Sequence, residues 1–491
     1  MTRAFLGIDL GTSSAKALLL TEAGDVVAKG SAPYATHSTS DGRVEQDPDD
    51  WWDAAVRATR AGLDRAPAGL VVRAMGFSGH MSVLLPLGDD LRPLRRAITI
   101  GDARGVEEAA WLDRRHGAAV VDATGNLPLS AFTLAKLLWF RTHERSLFAR
   151  TRVIVGAKDY LRLRATGSLA ADPTDAGNTL LVDLDTRTWN TDLIDRLELP
   201  PEIVPPLRES LEIAGDLTRE AADALGLPAG LPVITGMADM AASVLGAGML
   251  SGRRVAITLG TSGQITQVVA APTRALLGRF TYHPHALPGR CYVMASLFTG
   301  GLGLRWFADV IASLAGGSPE VALARVLERA ADSEPGARGV TFAPFLTGSG
   351  SPDYDAGRRA LFAGLGRGHD GGDLARAVLE GVSFSVRHNL EVLARHHQEP
   401  AEWVLGGGGM RSPLWRRITA DATRRPLRLL LEQDAGALGT AIAAGYAIGA
   451  VGDLAGTLDA VVRIGLDIRP SSQAGSDYDE AYERYRQLVD P

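Results

Sequence analysis

The chain opens on an alternation of short apolar runs with glycine- and hydroxyl-rich turns. Residues 5–10 read as a buried strand, Gly11-Thr-Ser-Ser14 as a turn, and residues 17–20 as a second apolar run. Gly24-Asp25 marks another turn before Val26-Val27. This predicts a β-meander with an acid, Asp9, at the end of its first strand. Residues 50–63, with Trp51, Trp52, Ala55, Val56 and Thr59, have helical spacing. A central strand is predicted at 71–77, and further helices at 134–148, 159–164 and 218–225. Beyond a connector at 226–232 the same pattern begins again. Val255-Ala-Ile-Thr-Leu259 reads as a strand that runs into Gly260-Thr-Ser-Gly263. The four residues Leu10-Gly11-Thr12-Ser13 recur as Leu259-Gly260-Thr261-Ser262, about half the chain further on. Helices predicted at 374–393 and 412–425 flank a strand at 402–405, continuing the alternation of α and β. Two homologous α/β halves facing one another are therefore expected.

Composition narrows the function classes. The 491 residues are 46% hydrophobic and 22% charged, enough apolar content for two large cores without disulfide staples. The net charge of −6 carries no footprint for nucleic acid or an anionic membrane. Cys291 is the only cysteine, which excludes an internal disulfide and any multi-cysteine metal site and points to a cytoplasmic setting. Lysine occurs only at Lys16, Lys29, Lys136 and Lys158, arginine supplying the rest of the 51 basic residues. The N-terminus reaches Asp9 before a signal-peptide core could form, and the apolar stretch 440–452 is shorter than a membrane span. Neither a membrane nor a nucleic acid is expected as a partner, and a homodimer is left open.

Four segments carry candidate chemistry. In Asp9-Leu-Gly-Thr-Ser-Ser-Ala-Lys16 the glycine lets backbone amides approach an anion, and Thr12, Ser13 and Ser14 add hydroxyl donors. Asp9 is placed to hold Mg²⁺ through waters, and Lys16 to neutralise phosphate charge. One such turn is more often an ordinary hairpin, whereas two copies facing each other make a polyphosphate clamp. Asp239 lies in the apolar, small-residue stretch 231–250, either as a base accepting a substrate proton or as the N-cap of a helix at 240–245. The run Gly406-Gly-Gly-Gly409 between a strand and a helix allows close approach of a nucleotide but fits neither a Rossmann nor a P-loop spacing; a plain tight turn explains it equally well. His80, Met81, Ser82 and Asp102 follow strands or turns where a polyol could be held, although each singly fits a solvated loop. The histidines show no metal-ligand spacing.

Taken together these segments resemble the FGGY family of carbohydrate kinases, of the actin-like ATPase superfamily, with xylulokinases the nearest group. The resemblance runs from Gly7 to about Gly449. Its markers include Asp9 to Lys16, Glu45-Gln-Asp-Pro-Asp-Asp-Trp-Trp52, Thr124-Gly-Asn126, Phe132-Thr-Leu-Ala-Lys136 and Lys158-Asp-Tyr-Leu-Arg-Leu-Arg164. Leu259 to Gly263, Arg376-Ala-Val-Leu-Glu-Gly381 and the turn at 407–412 complete them.

The resemblance implies two actin-like (ribonuclease H-like) α/β domains, at 1–247 and 248–450, with an interdomain cleft and a C-terminal helical tail at 451–491. It implies a cytoplasmic ATP- and Mg²⁺-dependent kinase that phosphorylates a ketopentose such as xylulose, or a related ketose or polyol. Asp9 then matches the metal-associated acid. Gly11, Thr12, Ser13 and Lys16 match the first phosphate loop, Gly260 and Thr261 the second, and Gly407, Gly408 and Gly409 the adenosine turn. Asp239 matches the catalytic base. The departures fall on the sugar side: His80-Met81-Ser82-Val83 stands for Gln-Met-His-Gly, Ile100-Gly101-Asp102 for Trp-Asn-Asp, and Met240 for the Asn after the base. Gly348-Ser-Gly-Ser-Pro352 stands for Gly-Glu-Arg-x-Pro. The competing expectations are a catalytically silent sugar-binding regulator or scaffold of the same fold, and an actin- or chaperone-like ATPase with a protein partner.

Overall fold

A computed structural model of the chain describes residues 2–472 and 475–490. The first half is built on a seven-stranded sheet. Its strands are β1 (Arg3–Leu10), β2 (Ser14–Thr21), β3 (Val26–Pro33), β4 (Val71–Gly79), β5 (Ile213–Asp216), β6 (Pro232–Ile234) and β7 (Met237–Ala238). The spatial order is β5-β6-β4-β1-β2-β3, with β7 also pairing β4. The second half carries β8 (Arg254–Leu259), β9 (Gly263–Val269), β10 (Thr281–Pro284), β11 (Cys291–Leu297), β12 (Glu402–Gly406), β13 (Leu427–Leu430) and β14 (Ile464–Ile468), in the order β10-β11-β9-β8-β12-β13-β14.

The two sheets follow one plan. A first strand pairs antiparallel with the next, that strand pairs antiparallel with a third, and the first pairs parallel on its other side with a later strand. The antiparallel part comes from tight turns, and the parallel part needs crossovers, which helices supply. The repeated Leu-Gly-Thr-Ser motif closes the first strand of each plan.

Helices cover the sheets. In the first half α1 (Pro48–Leu63) starts at the Asp47 cap and buries Trp51, Trp52 and Ala55 on the sheet. Beside it lie α2 (Val106–Thr124), α3 (Thr133–His143) and α4 (Ala157–Thr166). The single helix predicted over 134–148 is two, because Glu144, at φ −121°, breaks α3 from the short helix Arg145–Phe148. The junction between the halves is made by α5 (Asp239–Gly246), followed in chain order by α6 (Gly301–Ala315), α7 (Gly371–Ala394), α8 (Pro413–Thr423) and α9 (Ala435–Ala447).

Helix α9 lies against β1, β4 and α5, joining the second half to the first sheet through a shared apolar core. Its backbone approaches so closely that small residues are obligatory. A Cβ on Gly246 would sit 1.9 Å from the Ala435 carbonyl oxygen, and one on Gly439 2.0 Å from that of Ala242. Residues 451–490 are not a helical tail standing apart. They add the edge strand β14 to the second sheet and dock α10 (Gly475–Val489) by Tyr478, Tyr482 and Tyr485 around Phe384.

Candidate active site

The site lies where the strands of the first sheet end. Asp9 is opposite Ser78 in the parallel β1–β4 ladder, and Ala238 is opposite Gly79, so Asp9 and Asp239 emerge at the carboxyl ends of the two strands that flank β4. In α/β sheets that edge is where ligands bind. The Ser78 hydroxyl donates to Asp9 Oδ1 at 2.7 Å, yet burial raises the Asp9 carboxyl above its ordinary range.

Asp239 is the first residue of α5, not its N-cap. The cap is Ala238, and Asp239 Oδ1 accepts the adjacent Met240 amide at 2.8 Å. The Met81 amide also supports the carboxylate. Desolvation, with repulsion from Asp9 added, pushes the Asp239 carboxyl up to about 7. A carboxyl poised there is ionised about half the time at neutral pH and can take up a proton as a base.

The turn 80–82 stands directly over that carboxylate. His80 is buried edge-on to Trp51, with ring centroids 5.6 Å apart, and neither ring nitrogen has a hydrogen-bond partner. Burial, with Lys136 nearby, lowers its imidazole to about 4, so it is neutral. Ser82 adopts φ 62° and its carbonyl accepts from the buried Lys136 Nζ at 2.8 Å. Asp102 does not present a free carboxylate. Its oxygens accept the Val44 amide at 2.6 Å and the Arg104 guanidinium at 2.9 and 2.7 Å, making it an anchor for the loop. Beyond it, Arg104 Nη1 is buried with no hydrogen-bond partner.

The two phosphate-loop candidates have the same form. Gly11 N–H bonds the Ser14 carbonyl and Gly260 N–H the Ser262 carbonyl, leaving Thr12, Ser13 and Thr261 exposed at the sheet ends. A cavity of about 210 Å³ between the halves is lined by Asp9, Lys16 and Gly407, with Met240, Thr258, Gly406, Gln433, Asp434 and Gly436. Lys16 is not free there: its Nζ pairs with Asp434 at 2.9 Å, and Lys29 reaches Glu432 and Asp434 at 2.5 and 3.1 Å. These half-buried pairs cross from the first sheet to the loop before α9.

The glycine turn divides by role. Gly407, at φ 91°, lets the chain pass Leu259, whose carbonyl oxygen a Cβ would meet at 2.6 Å, and Gly409 makes way for Trp415. Gly406 and Gly408 have open space where a side chain would be, a surface on which a flat ring can lie. Gln433 and Gly436 carry no sequence motif of their own. A Cβ on Gly436 would meet the Asp9 carboxylate, and the signal for it was the small-residue run that also builds the α5–α9 contact.

The donor set suits Mg²⁺ and a nucleoside triphosphate. Among the described residues no three His, Cys, Asp or Glu side chains converge as a metal cage. A cation held by one carboxylate, waters and phosphate oxygens is the mode Mg²⁺ prefers.

Residues 4–246 match the N-terminal domain of the FGGY family of carbohydrate kinases, and residues 255–448 its C-terminal domain. The chain is 35% identical over 441 residues to the xylulose kinase of Escherichia coli K12, covering 89% of this chain and 88% of that protein. Among solved structures it is similar to a xyloylose kinase from Brucella ovis, at 33% identity, TM-score 0.89 and 99% and 98% coverage of the two chains. It is also similar to a gluconate kinase from Lactobacillus acidophilus, at 25% identity, TM-score 0.92 and the same coverage.

Proposed function

We propose that this chain, which belongs to the FGGY family of carbohydrate kinases and is an ATP-dependent sugar kinase working with Mg²⁺, uses Asp239 as the base that takes the proton of the attacking sugar hydroxyl. Membership of the family removes the catalytically silent alternative. The observation that carries the role of Asp239 is its carboxyl at the strand ends of the first sheet, raised to about 7 beside a second acid, Asp9. Phosphoryl transfer asks little covalent chemistry of the protein, so positioning and charge neutralisation carry the rate. Asp9 would hold the cation, which when bound neutralises charge on the transferring phosphoryl group. The Gly11–Thr12–Ser13 and Gly260–Thr261 turns flank the phosphates with amides and hydroxyls, and Gly406 to Gly409 receive the adenosine. Lys16, now on Asp434, is within the same cavity and would exchange that pair for phosphate oxygens. The reaction takes place in the cytoplasm on this reading, consistent with a single buried cysteine.

The acceptor is a ketopentose such as xylulose, or a related ketose or polyol. His80, Met81 and Ser82, beside the base, read its hydroxyls, and Asp102 acts on that pocket through Arg104. Serine at 82, glycine at 101 and methionine at 240 remove hydrogen-bonding groups the xylulokinase resemblance would supply. Each such loss costs about 1–3 kcal/mol against a buried hydroxyl, enough to redirect choice among similar sugars.

Two measurements test this. ADP release is followed over ketoses, aldoses and polyols with and without Mg²⁺; D-xylulose emerging as the best substrate by a wide margin in kcat/KM would overturn the pocket argument. Asp239→Asn should bind Mg²⁺–ATP normally and phosphorylate at least ~100-fold more slowly. A variant keeping more than about a tenth of the wild-type kcat lies outside the range for a lost base.

A further inference from the structure

The backbone that delivers Asp239 is held from below by a buried polar assembly. Thr174, Asp172 and Lys158 are fully buried. The Ala238 amide, one residue before Asp239, donates to the Thr174 hydroxyl at 2.8 Å. That hydroxyl donates to Asp172 Oδ2 at 2.6 Å. The same oxygen accepts the Thr174 amide at 2.9 Å and the Ser210 hydroxyl at 2.6 Å, and Oδ1 pairs with Lys158 Nζ at 2.9 Å. A second strut runs in parallel. Arg162, bonded to Asp159 at 2.8 Å, donates through the same nitrogen to the Thr235 carbonyl at 2.8 Å. The segment 235–238 is thus gripped at both ends.

We propose that Thr174 is a positioning residue for phosphoryl transfer: its hydroxyl fixes the Ala238 amide, and through it the start of α5, so that Asp239 meets the sugar hydroxyl in line. The inference rests on the reading of Asp239 as the base. The physical argument is that neighbouring support for Asp239 is directional but sparse. Its own carboxylate is held by backbone amides, those of Met81, Met240 and Asp239 itself, two of them on the backbone that this placement sets. A one-ångström displacement of such a group costs on the order of 10²-fold in rate. The assembly beneath is suited to resist it. Although burial pushes the Asp172 carboxyl up, Lys158 and the hydroxyls of Ser210 and Thr174 hold it below its ordinary range. Burial pushes the Asp175 carboxyl well above its ordinary range, while Lys158 pairs with Asp159 and Asp172, and Arg162 with Asp159. Hydroxyls and charged groups bonded this way resist displacement, and removing the Thr174 hydroxyl leaves the Ala238 amide and Asp172 Oδ2 each short of a partner.

The test is Thr174→Val, isosteric but unable to bond, measured alone and on the Asp239→Asn background. In the otherwise wild-type enzyme we expect kcat about 10–100-fold lower with the KM for Mg²⁺–ATP unchanged. Thr174→Ser, which keeps the hydroxyl, should restore most of the rate. On Asp239→Asn, Thr174→Val should cost nothing further, since a residue acting through the base has nothing left to position. Wild-type kcat in Thr174→Val overturns the inference. So does the same fold loss on both backgrounds, or failure of serine to rescue. If valine prevents folding, Thr174→Ala carries the test, and failure of both to fold makes the hydroxyl a requirement of the fold and refutes the proposal. Full activity of Asp239→Asn alone would instead remove the base itself.

Discussion

A carboxyl kept in the wrong electrostatic environment for its charge should weaken the fold, and Asp239 offers a direct measure of this. Its carboxyl titrates at about 7 in the folded protein against 3.8 for the ordinary group, with desolvation the largest cause and the charge of Asp9 the next. Between those two pH values the folded chain holds a proton that the unfolded chain has released. Stability therefore falls as pH rises through that window and levels off above it. Three units correspond to a ceiling of about 4 kcal/mol. Asp239 opens on the cleft, so water screens part of this, and about 1–3 kcal/mol is the reasonable share. Asn keeps an oxygen for the Met240 and Met81 amides and never ionises. Asp239→Asn should then match the wild type near pH 4 and exceed it at pH 8, by a few degrees in melting temperature. Urea unfolding of both proteins at the two pH values checks this, because titrating groups that do not face Asp239 are common to the pair and cancel in the difference. A variant less stable than wild type at pH 8, or a gap equal at both pH values, would show that Asp239 is chiefly an anchor for the start of α5.

The same titration should govern the rate: kcat/KM for the sugar should fall about tenfold for each pH unit below ~7, and a limb centred near 4 would sink the assignment. Gly436→Ala tests Asp9. Its Cβ would lie 2.8 Å from Oδ2, 2.9 Å from Cγ and 3.0 Å from Oδ1 of that carboxylate. The variant should fold, since alanine suits a helix better than glycine, yet need more Mg²⁺ for half-maximal rate and lose about tenfold or more in kcat/KM for Mg²⁺–ATP. An unchanged magnesium titration would detach Asp9 from the metal.

The parts of the fold legible in the sequence are those set by local pattern. Short apolar runs bounded by turn residues announce β1, β2 and β8, and the Leu-Gly-Thr-Ser recurrence announces that the two sheets share a plan. Asp239 was legible because an ionisable group in a long apolar stretch must be exposed in a cleft, paired or neutralised. Where the reading slipped, tertiary context decided. Glu144 breaks a helix whose apolar spacing continues past it. The stretch 451–491 is expected as a helical tail, but Ile464–Ile468 finds an open sheet edge beside Leu427–Leu430. Asp239 as a cap failed by one position, since the amide it accepts is its immediate neighbour's.

The rest of the site was illegible for a reason of distance along the chain. Asp434 bonds Lys16, Asp172 reaches Ala238 through Thr174, and Asp102 clasps a loop some sixty residues earlier. None of these pairs has a spacing that a helix or strand would impose, so no periodicity marks them. The glycines mislead in the opposite direction. A run of four suggests one shared purpose, but Gly407 and Gly409 are there because Leu259 and Trp415 leave no room for a side chain, while Gly406 and Gly408 keep a surface open. A glycine read from sequence signals that something comes close. Whether that something is the protein's own backbone or a ligand depends on which face of the turn is already filled, and packing alone decides it. The same holds for the acids: Asp9 and Asp172 both end up buried beside hydroxyls, yet only Asp172 has a lysine within 3 Å, so one carboxyl is pushed up and left available at the cleft while the other is held down as a support.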